Sequence, residues 1–335
     1  MNLLARLTRN LALAIPVAML LGWLYGLVAP SAWLRATIVP LTLLMVYPMM
    51  VGLQPRQLLQ GGGLRAQWLA QAINFGVIPF VAHAIGRAWF PGQPYLALGL
   101  MLAALLPTSG MTIAWTGFAK GNVPAAIQMT VVGLVIGSLA TPFYLQWLMG
   151  AVVPVDLAAV FRQIALVVLL PLLLGQATRE WLVRRHGRER FRQEWAPRFP
   201  PLSTLGVLGV VFVALALKGG DLVARPSLLV DVLVPLLVLY ALNYALSVTV
   251  GRFLLPRGDA IALVYGTVMR NLSIALALAM NAFGEAGVDA ALLIAVAYVV
   301  QVQSAAWSVR LANAVFGAQP AAGADAAGGS RAKDP

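Results

Sequence analysis

IALVYGTVMRNLSIALALAM, from Ile261 to Met280, is long and apolar enough to cross a bilayer, yet it carries a charge, Arg270, at its centre. No aspartate or glutamate lies within ten residues of that arginine. A guanidinium at membrane depth is costly, and it normally faces a cavity, a substrate path or a polar partner. Asn271 and Ser273 follow directly and add polar groups. About half a chain earlier another apolar run is interrupted by Pro107, Thr108, Ser109 and Gly110. The proline removes a backbone donor and clashes with the preceding turn, while the glycine lets the chain leave helical geometry. Backbone groups freed at this depth are tolerated only against protein or a wet cavity. Two interrupted spans at corresponding places in two halves point to a secondary transporter with its site near the midplane.

Composition agrees with a membrane reading. Of the 335 residues 61% are hydrophobic and 10% charged, and mean hydropathy is +0.85. With no cysteine, disulfides, thiolate metal sites and thiol nucleophiles are excluded. The apolar runs predict an all-α polytopic protein with ten spans, at about 10–29, 34–53, 67–90, 95–118, 123–149, 157–182, 201–218, 227–251, 258–282 and 287–316. The connecting loops are expected to be short, apart from a basic stretch from Arg184 to Arg198. The Ala- and Gly-rich tail, 317–335, reads as disordered.

With ten spans both termini lie on one side. Seventeen of the 23 lysines and arginines then fall on that side, five on the other, and the remaining one is Arg270. The positive-inside rule makes the rich side cytoplasmic, so the reading is a multi-pass protein of the inner or plasma membrane with both ends inside. This asymmetry also accounts for the net charge of +12 without nucleic acid, while the cluster around Arg188 suits anionic lipid heads. The halves repeat weakly. LALAIPVAMLLG from Leu11 is similar to IALVVLLPLLLG from Ile164, and Pro107 precedes Lys120 by the interval that separates Arg270 from Phe283. Two five-span copies must enter from opposite sides, which makes the repeat inverted.

PTSGMTIAWTGFAKGN, from Pro107 to Asn122, resembles the fourth helix of the arsenite efflux permeases, which share a superfamily with the bile acid:sodium symporters. Asn74-Phe75 followed by Pro79 resembles its third-helix motif, and Met269-Arg270-Asn271 its ninth. The resemblance implies two broken helices crossing at the site, within a core domain that a smaller panel domain moves against. Carried over, residues 1–66 are panel helices 1 and 2 and residues 67–150 core helices 3 to 5. Residues 151–226 become panel helices 6 and 7 with a basic cytoplasmic loop, and 227–316 core helices 8 to 10. The departures bear on chemistry. Thr108 stands where the arsenite permeases have a cysteine, and Ser273 where they have a glutamate. Gly266 and Arg270 replace the glutamate and glutamine of the sodium symporters. Asn74, Thr112 and Thr130 remain at positions resembling sodium ligands, and Gln128 is a polar neighbour on a core span.

A guanidinium in the space of a cation would repel it. Arg270 is thus read as a fixed positive charge that replaces sodium and pairs with an anionic substrate; the other reading is a cap on carbonyls of the opposing broken helix. Asn271, Thr108, Ser109, Ser273 and Asn74 complete the candidate substrate site, and Thr112, Thr130 and Gln128 a degenerate ion site. Among lower-ranked residues, Gln301, Gln303 and Asn243 line the cavity or bond between helices, His83 lies near the outer end of its span, Tyr47 and Tyr265 offer hydroxyls to a substrate or pack as aromatics, and Trp33, Trp89, Trp181 and Trp307 fit interfacial belts. The expected function is alternating-access transport of a small or amphipathic organic anion, with membrane lipids and the substrate as partners. No cofactor and no metal site are expected; sodium is the ion the resemblance supplies, and Arg270 is read as standing in its place. An arsenite or oxyanion exporter is the alternative, a membrane sensor a further one, and oligomeric state stays open. The spans lack a nucleophile with its base or a carboxylate dyad, so an enzyme is not expected.

Overall fold

The computed structural model describes residues 11–52, 63–224 and 227–317. The basic residues Arg6, Arg9, Arg56, Arg225, Arg331 and Lys333, and the tail beyond Gly317, lie outside the described residues. Among the described residues every regular element is a helix. The α-helices of eight residues or more are α1 (Leu11–Val28), α2 (Ile38–Gly52), α3 (Leu64–Gly76), α4 (Ile78–Trp89), α5 (Pro94–Leu105), α6 (Gly110–Phe118) and α7 (Val123–Tyr144). There follow α8 (Leu157–Ile164), α9 (Leu170–His186), α10 (Phe199–Leu217), α11 (Leu228–Leu254), α12 (Arg257–Val268), α13 (Leu272–Ala282) and α14 (Gly287–Phe316). Short π and 3-10 pieces extend several of them.

Seven helical stretches are long and apolar enough to cross a membrane: Ala32–Gly52, Leu64–Trp89, Val123–Met149, Leu157–His186, Arg188–Leu217, Leu228–Leu254 and Gly287–Phe316. The other expected spans fall on α1 and on two interrupted helices. At about 1.5 Å per residue, α5 (12 residues) and α6 (9 residues) are each far shorter than a bilayer core of about 30 Å. The pair α12 and α13, 12 and 11 residues, behaves likewise.

One expectation is corrected. The basic stretch Arg184 to Arg198 is helical apart from a turn at Gly187, whose φ of 82° only glycine adopts readily. Its charges alternate in sign at helical spacing, with Arg184 on Glu180 at 3.2 Å and Arg190 on Glu194 at 3.0 Å. Such i,i+4 pairs support a helix rather than a loop. Aromatic side chains add to this, Arg198 lying over the Trp195 ring at 4.8 Å and Arg179 over Phe191 at 5.8 Å.

Two sets of helices emerge from the packing. In one, α10 packs on α1 and α2, and α9 on α2. In the other, α12 packs on α3, α7 and α11, while α14 packs on α5, α11 and α13. Gly22 and Gly26 let α1 lie directly on the backbone of α10 at Phe212 and Ala216, as membrane helices do where small residues permit close approach. The most completely buried residues belong to the second set, on α5, α12, α13 and the first half of α14. Leucines of α1 and α9, together with Trp33, Trp89, Trp181 and Trp307, are exposed on the outside.

Candidate functional site at the crossing of two broken helices

The two breaks meet. Pro107 pushes Leu106 out of helical geometry, to φ −102° and ψ 83°, and so ends α5. Pro107 and Arg270 then form an isolated antiparallel bridge. The Thr108 amide donates to the Met269 carbonyl at 2.8 Å, and the Asn271 amide to the Leu106 carbonyl at 2.7 Å. Each bond joins the residue after one bridge position to the residue before the other, so the pair is related by a local two-fold.

Breaking a helix orphans its backbone groups, and at membrane depth each needs another partner. Side chains provide them here. In an unbroken helix the Arg270 amide would donate to the Gly266 carbonyl; instead it donates to Gln301 Oε1 at 2.7 Å, and the Gly266 carbonyl accepts from Asn74 Nδ2 at 2.9 Å. The Thr267 carbonyl, left by Asn271, accepts from Asn243 Nδ2 at 2.9 Å. Gln301 Nε2 returns to the Arg270 carbonyl at 3.2 Å, and Tyr240 donates to Gln301 Oε1 at 2.9 Å. On the opposing helix the Ala104 carbonyl, left by Thr108, accepts from Arg270 Nη1 at 3.1 Å.

Arg270 therefore caps the opposing broken helix with one arm. Its other nitrogen, Nη2, is buried and has no partner, and the residue is 3% exposed. Among the described residues no ion pair reaches it. Leaving a buried donor unpaired costs about 1–3 kcal/mol, and more when it is charged.

Thr108 is fully buried with φ 62°, a left-handed conformation rare for a β-branched residue. Its hydroxyl donates to its neighbour's carbonyl at 2.7 Å and lies 3.3 Å from the Thr130 carbonyl on α7. Ser109 and Thr112 cap the start of α6, the Ser109 hydroxyl accepting from the Met111 amide and the Thr112 hydroxyl from the Ser109 amide, both at 3.2 Å. Asn271 caps α13 in the same manner, accepting from Ile274 at 3.3 Å. The positive ends of both half-helices thus start at the crossing beside Arg270.

The remaining candidates are less central. Ser273 shares a 2.6 Å bond with Tyr298 of α14. Thr130 bonds back to the Ala126 carbonyl of its own helix at 2.8 Å, and Gln128 is buried on α7. Asn74 Oδ1 is buried without a partner. A side chain built at Gly266 would place its Cβ 2.5 Å from the Met129 sulfur, so a thioether fills the space where the sodium symporters have a glutamate. Thioether sulfur is a poor ligand for a hard cation.

Gln301 and Asn243 matter more than their place among the lower-ranked polar residues suggested. Gln303 is exposed, because two residues along a helix turn the side chain to the far face. Tyr240 and Tyr298 left no signal in the sequence, where a tyrosine in an apolar helix reads as packing. Tyr47 bonds Thr178 at 2.6 Å, away from the crossing. Two cavities, of about 390 and 570 Å³, lie elsewhere: one beside Gln93, Lys218 and Asp289, the other an apolar groove between α2, α9 and α10.

A model of the sodium bile acid symporter family matches residues 39–225. Among known proteins, the uncharacterized protein YbaS of Bacillus subtilis is 26% identical over 207 residues, covering 62% of this chain and 66% of the relative. The arsenical-resistance protein Acr3 of Corynebacterium glutamicum is 22% identical over 230 residues, 65% of this chain and 62% of that one. A probable sodium/metabolite cotransporter, BASS2, of Oryza sativa subsp. japonica is 28% identical over 176 residues, 50% and 39% of the two chains. The chain thus spans just under two thirds of the length of the first two relatives. With the family match covering more than half of its residues, this chain belongs to the sodium bile acid symporter family.

Proposed function

We propose that this protein is a secondary transporter of a small or amphipathic organic anion, working by alternating access, with Arg270 as the charge that binds it. The observation that carries the reading is the guanidinium itself: buried at the crossing, free of any carboxylate, with Nη1 on the Ala104 carbonyl and Nη2 unpartnered. An anion accepting from Nη2 would offset the cost of its burial, aided by the half-helix N-termini at Ser109 and Asn271. Thr108, Ser109, Asn271, Ser273 and Asn74 form the polar surroundings of that anion. Membrane passage and binding, rather than covalent chemistry, are the activity.

In this reading each broken pair, α5 with α6 and α12 with α13, completes one crossing, giving ten crossings in two inverted five-helix repeats. The two-fold relation of the Pro107 and Arg270 bridge supports it, as do the left-handed residues that follow the second half-helices, Lys120 and Gly284, both at φ 55°. The set built on α3 to α7 and α11 to α14 is the core, and α1, α2, α8, α9 and α10 form the panel. The close packing of α10 on α1 and α2, and of α12 on α3, α7 and α11, supports that division. Both termini are placed in the cytoplasm, in the plasma or inner membrane, on the charge asymmetry.

Sodium is not the coupling ion in this reading, since Met129 lies against Gly266 and a guanidinium sits one turn on. Thr112, Thr130 and Gln128 then serve structure, two of them through bonds within their own helices. Uptake of a steroid carboxylate and of a 2-oxo acid into proteoliposomes, in sodium and in potassium, tests the reading. Transport independent of sodium and abolished by Arg270→Gln supports it; transport requiring sodium, or untouched by that change, sinks it. The likeness to Acr3 favours a second reading, oxyanion export through the hydroxyls of Thr108, Ser109 and Ser273. Arsenite in the same assay separates the two.

A further inference from the structure

Helix α3 carries amides at Gln67, Gln71 and Asn74, positions i, i+4 and i+7, which fall on one face. Both polar atoms of Gln67, both of Gln71 and Oδ1 of Asn74 are buried without partners. Gln71 is 8% exposed and Asn74 not at all. No other helix among the described residues gathers so many orphaned polar atoms.

Helix α3 meets α12 near both of its ends. At the start of α3 a Cβ on Gly63 would lie 3.2 Å from the Asp259 carboxylate, and near the other end Asn74 Nδ2 holds the Gly266 carbonyl. Helices α3 and α12 therefore run side by side, with the amide face toward α12. That helix offers Ala260, Ile261, Ala262, Leu263 and Val264, all buried and apolar. Its backbone groups are occupied within the helix and cannot satisfy the amides. Because Asn74 Nδ2 is engaged, Oδ1 is held as an acceptor that points away from Gly266. Five unpaired amide atoms on one stripe are tolerable only where water reaches them.

We propose that Gln67, Gln71 and Asn74 line a hydrated path inside the core, taking water and small hydrogen-bonding solutes from the Leu64 end of α3 to the crossing of the broken helices. On the far face of the molecule two ion pairs join the two sets of helices. Arg35 pairs with Glu285, and Lys218 with Asp289 at 2.7 Å, each joining the α1, α2 and α10 set to the end of α13 or the start of α14. The path thus opens on the side opposite those ion pairs, and it ends at Gly266, one helical turn before Arg270. It shares the crossing with the anion site and does not depend on which ligand binds there.

Because the chain has no cysteine, single cysteines report hydration without background. A buried thiol reacts with a methanethiosulfonate only where water lets it ionise. In membrane vesicles, trimethylammonium-ethyl methanethiosulfonate should modify Gln71→Cys at least tenfold faster than Ala66→Cys and Ala70→Cys, which are also buried, on the adjoining face. Equal rates at the three positions would overturn the path. Gln71→Leu gives an independent reading without a reactive thiol. If the amide is dry and unpaired, leucine raises the Tm, and that too would overturn the proposal; an unchanged or lowered Tm supports it. Both readouts survive failure of the anion reading, since neither involves substrate or Arg270.

Discussion

In the proposed reading Arg270 joins structure and function in one side chain, and the two roles can be separated by substitution. Nη1 holds Ala104 and the backbone amide is held by Gln301, while Nη2 is buried without a partner. Lysine keeps the charge but cannot cap one carbonyl and present a second donor in a fixed plane. Arg270→Lys is therefore expected to weaken anion binding at least tenfold while keeping some of it, where Arg270→Gln removes it; titration by isothermal calorimetry checks both. Gln301 is purely a holder. Gln301→Leu orphans the Arg270 amide and carbonyl and the Tyr240 hydroxyl together, which at roughly 1–3 kcal/mol for each buried group should cost about 3 kcal/mol or more. A clear fall in Tm checks it, and a Tm within a degree of the parent would show that the break does not lean on this amide.

The breaks themselves belong to the element scale. Pro107 explains the end of α5 by itself, and was legible in the sequence. The end of α12 was legible only as a polar interruption. No proline or glycine lies between Thr267 and Ser273, and the helix ends because amides from three other helices, Asn74, Asn243 and Gln301, take over its bonds. Such partners lie between 24 and 192 residues away, and no local pattern announces them. The same limit misplaced the basic hairpin around Gly187, where charge density suggested a loop and sign alternation made a helix. A third helix supports the first break. On α7, a Cβ at Gly133 would sit 2.8 Å from the Thr108 hydroxyl and one at Gly137 3.0 Å from the Pro107 ring. Gly133→Ala must push Thr108 out of its left-handed pocket, so a loss of about 1–3 kcal/mol in stability is expected, measurable as lowered Tm. Gly52→Ala meets nothing within 4 Å and serves as the control.

Across the whole molecule, hydropathy gave away the apolar helices and the position of the interruptions, because both are written in runs of neighbouring residues. How the helices divide into two sets rests on contacts such as Gly22 on Phe212 and Gly206 on Met45, which sequence reading did not single out. The polar ties between the sets named among the described residues are weak or moderate. The Arg35 and Glu285 pair is exposed, and exposed pairs are worth about 0–1 kcal/mol. Lys218 with Asp289 is more sheltered, and Asn281 reaches Thr42 at 3.2 Å. In the proposed transport cycle polar contacts of this strength would have to release. Asp289→Lys should favour separation of the two sets on that face, and Lys218→Asp combined with it should restore the parent behaviour. Accessibility of a cysteine placed at Gln93, beside this ion pair, follows the change.

The central claim is that a buried arginine has taken the place of a coupling cation. Thermal unfolding of the purified protein with organic anions, in sodium and in potassium, tests it most directly, because a ligand that prefers the folded state raises Tm. An anion that raises Tm equally in both salts, and fails to do so in Arg270→Gln, is the predicted result. Stabilisation by sodium alone, absent in potassium and intact in Arg270→Gln, would contradict it and return the site to sodium.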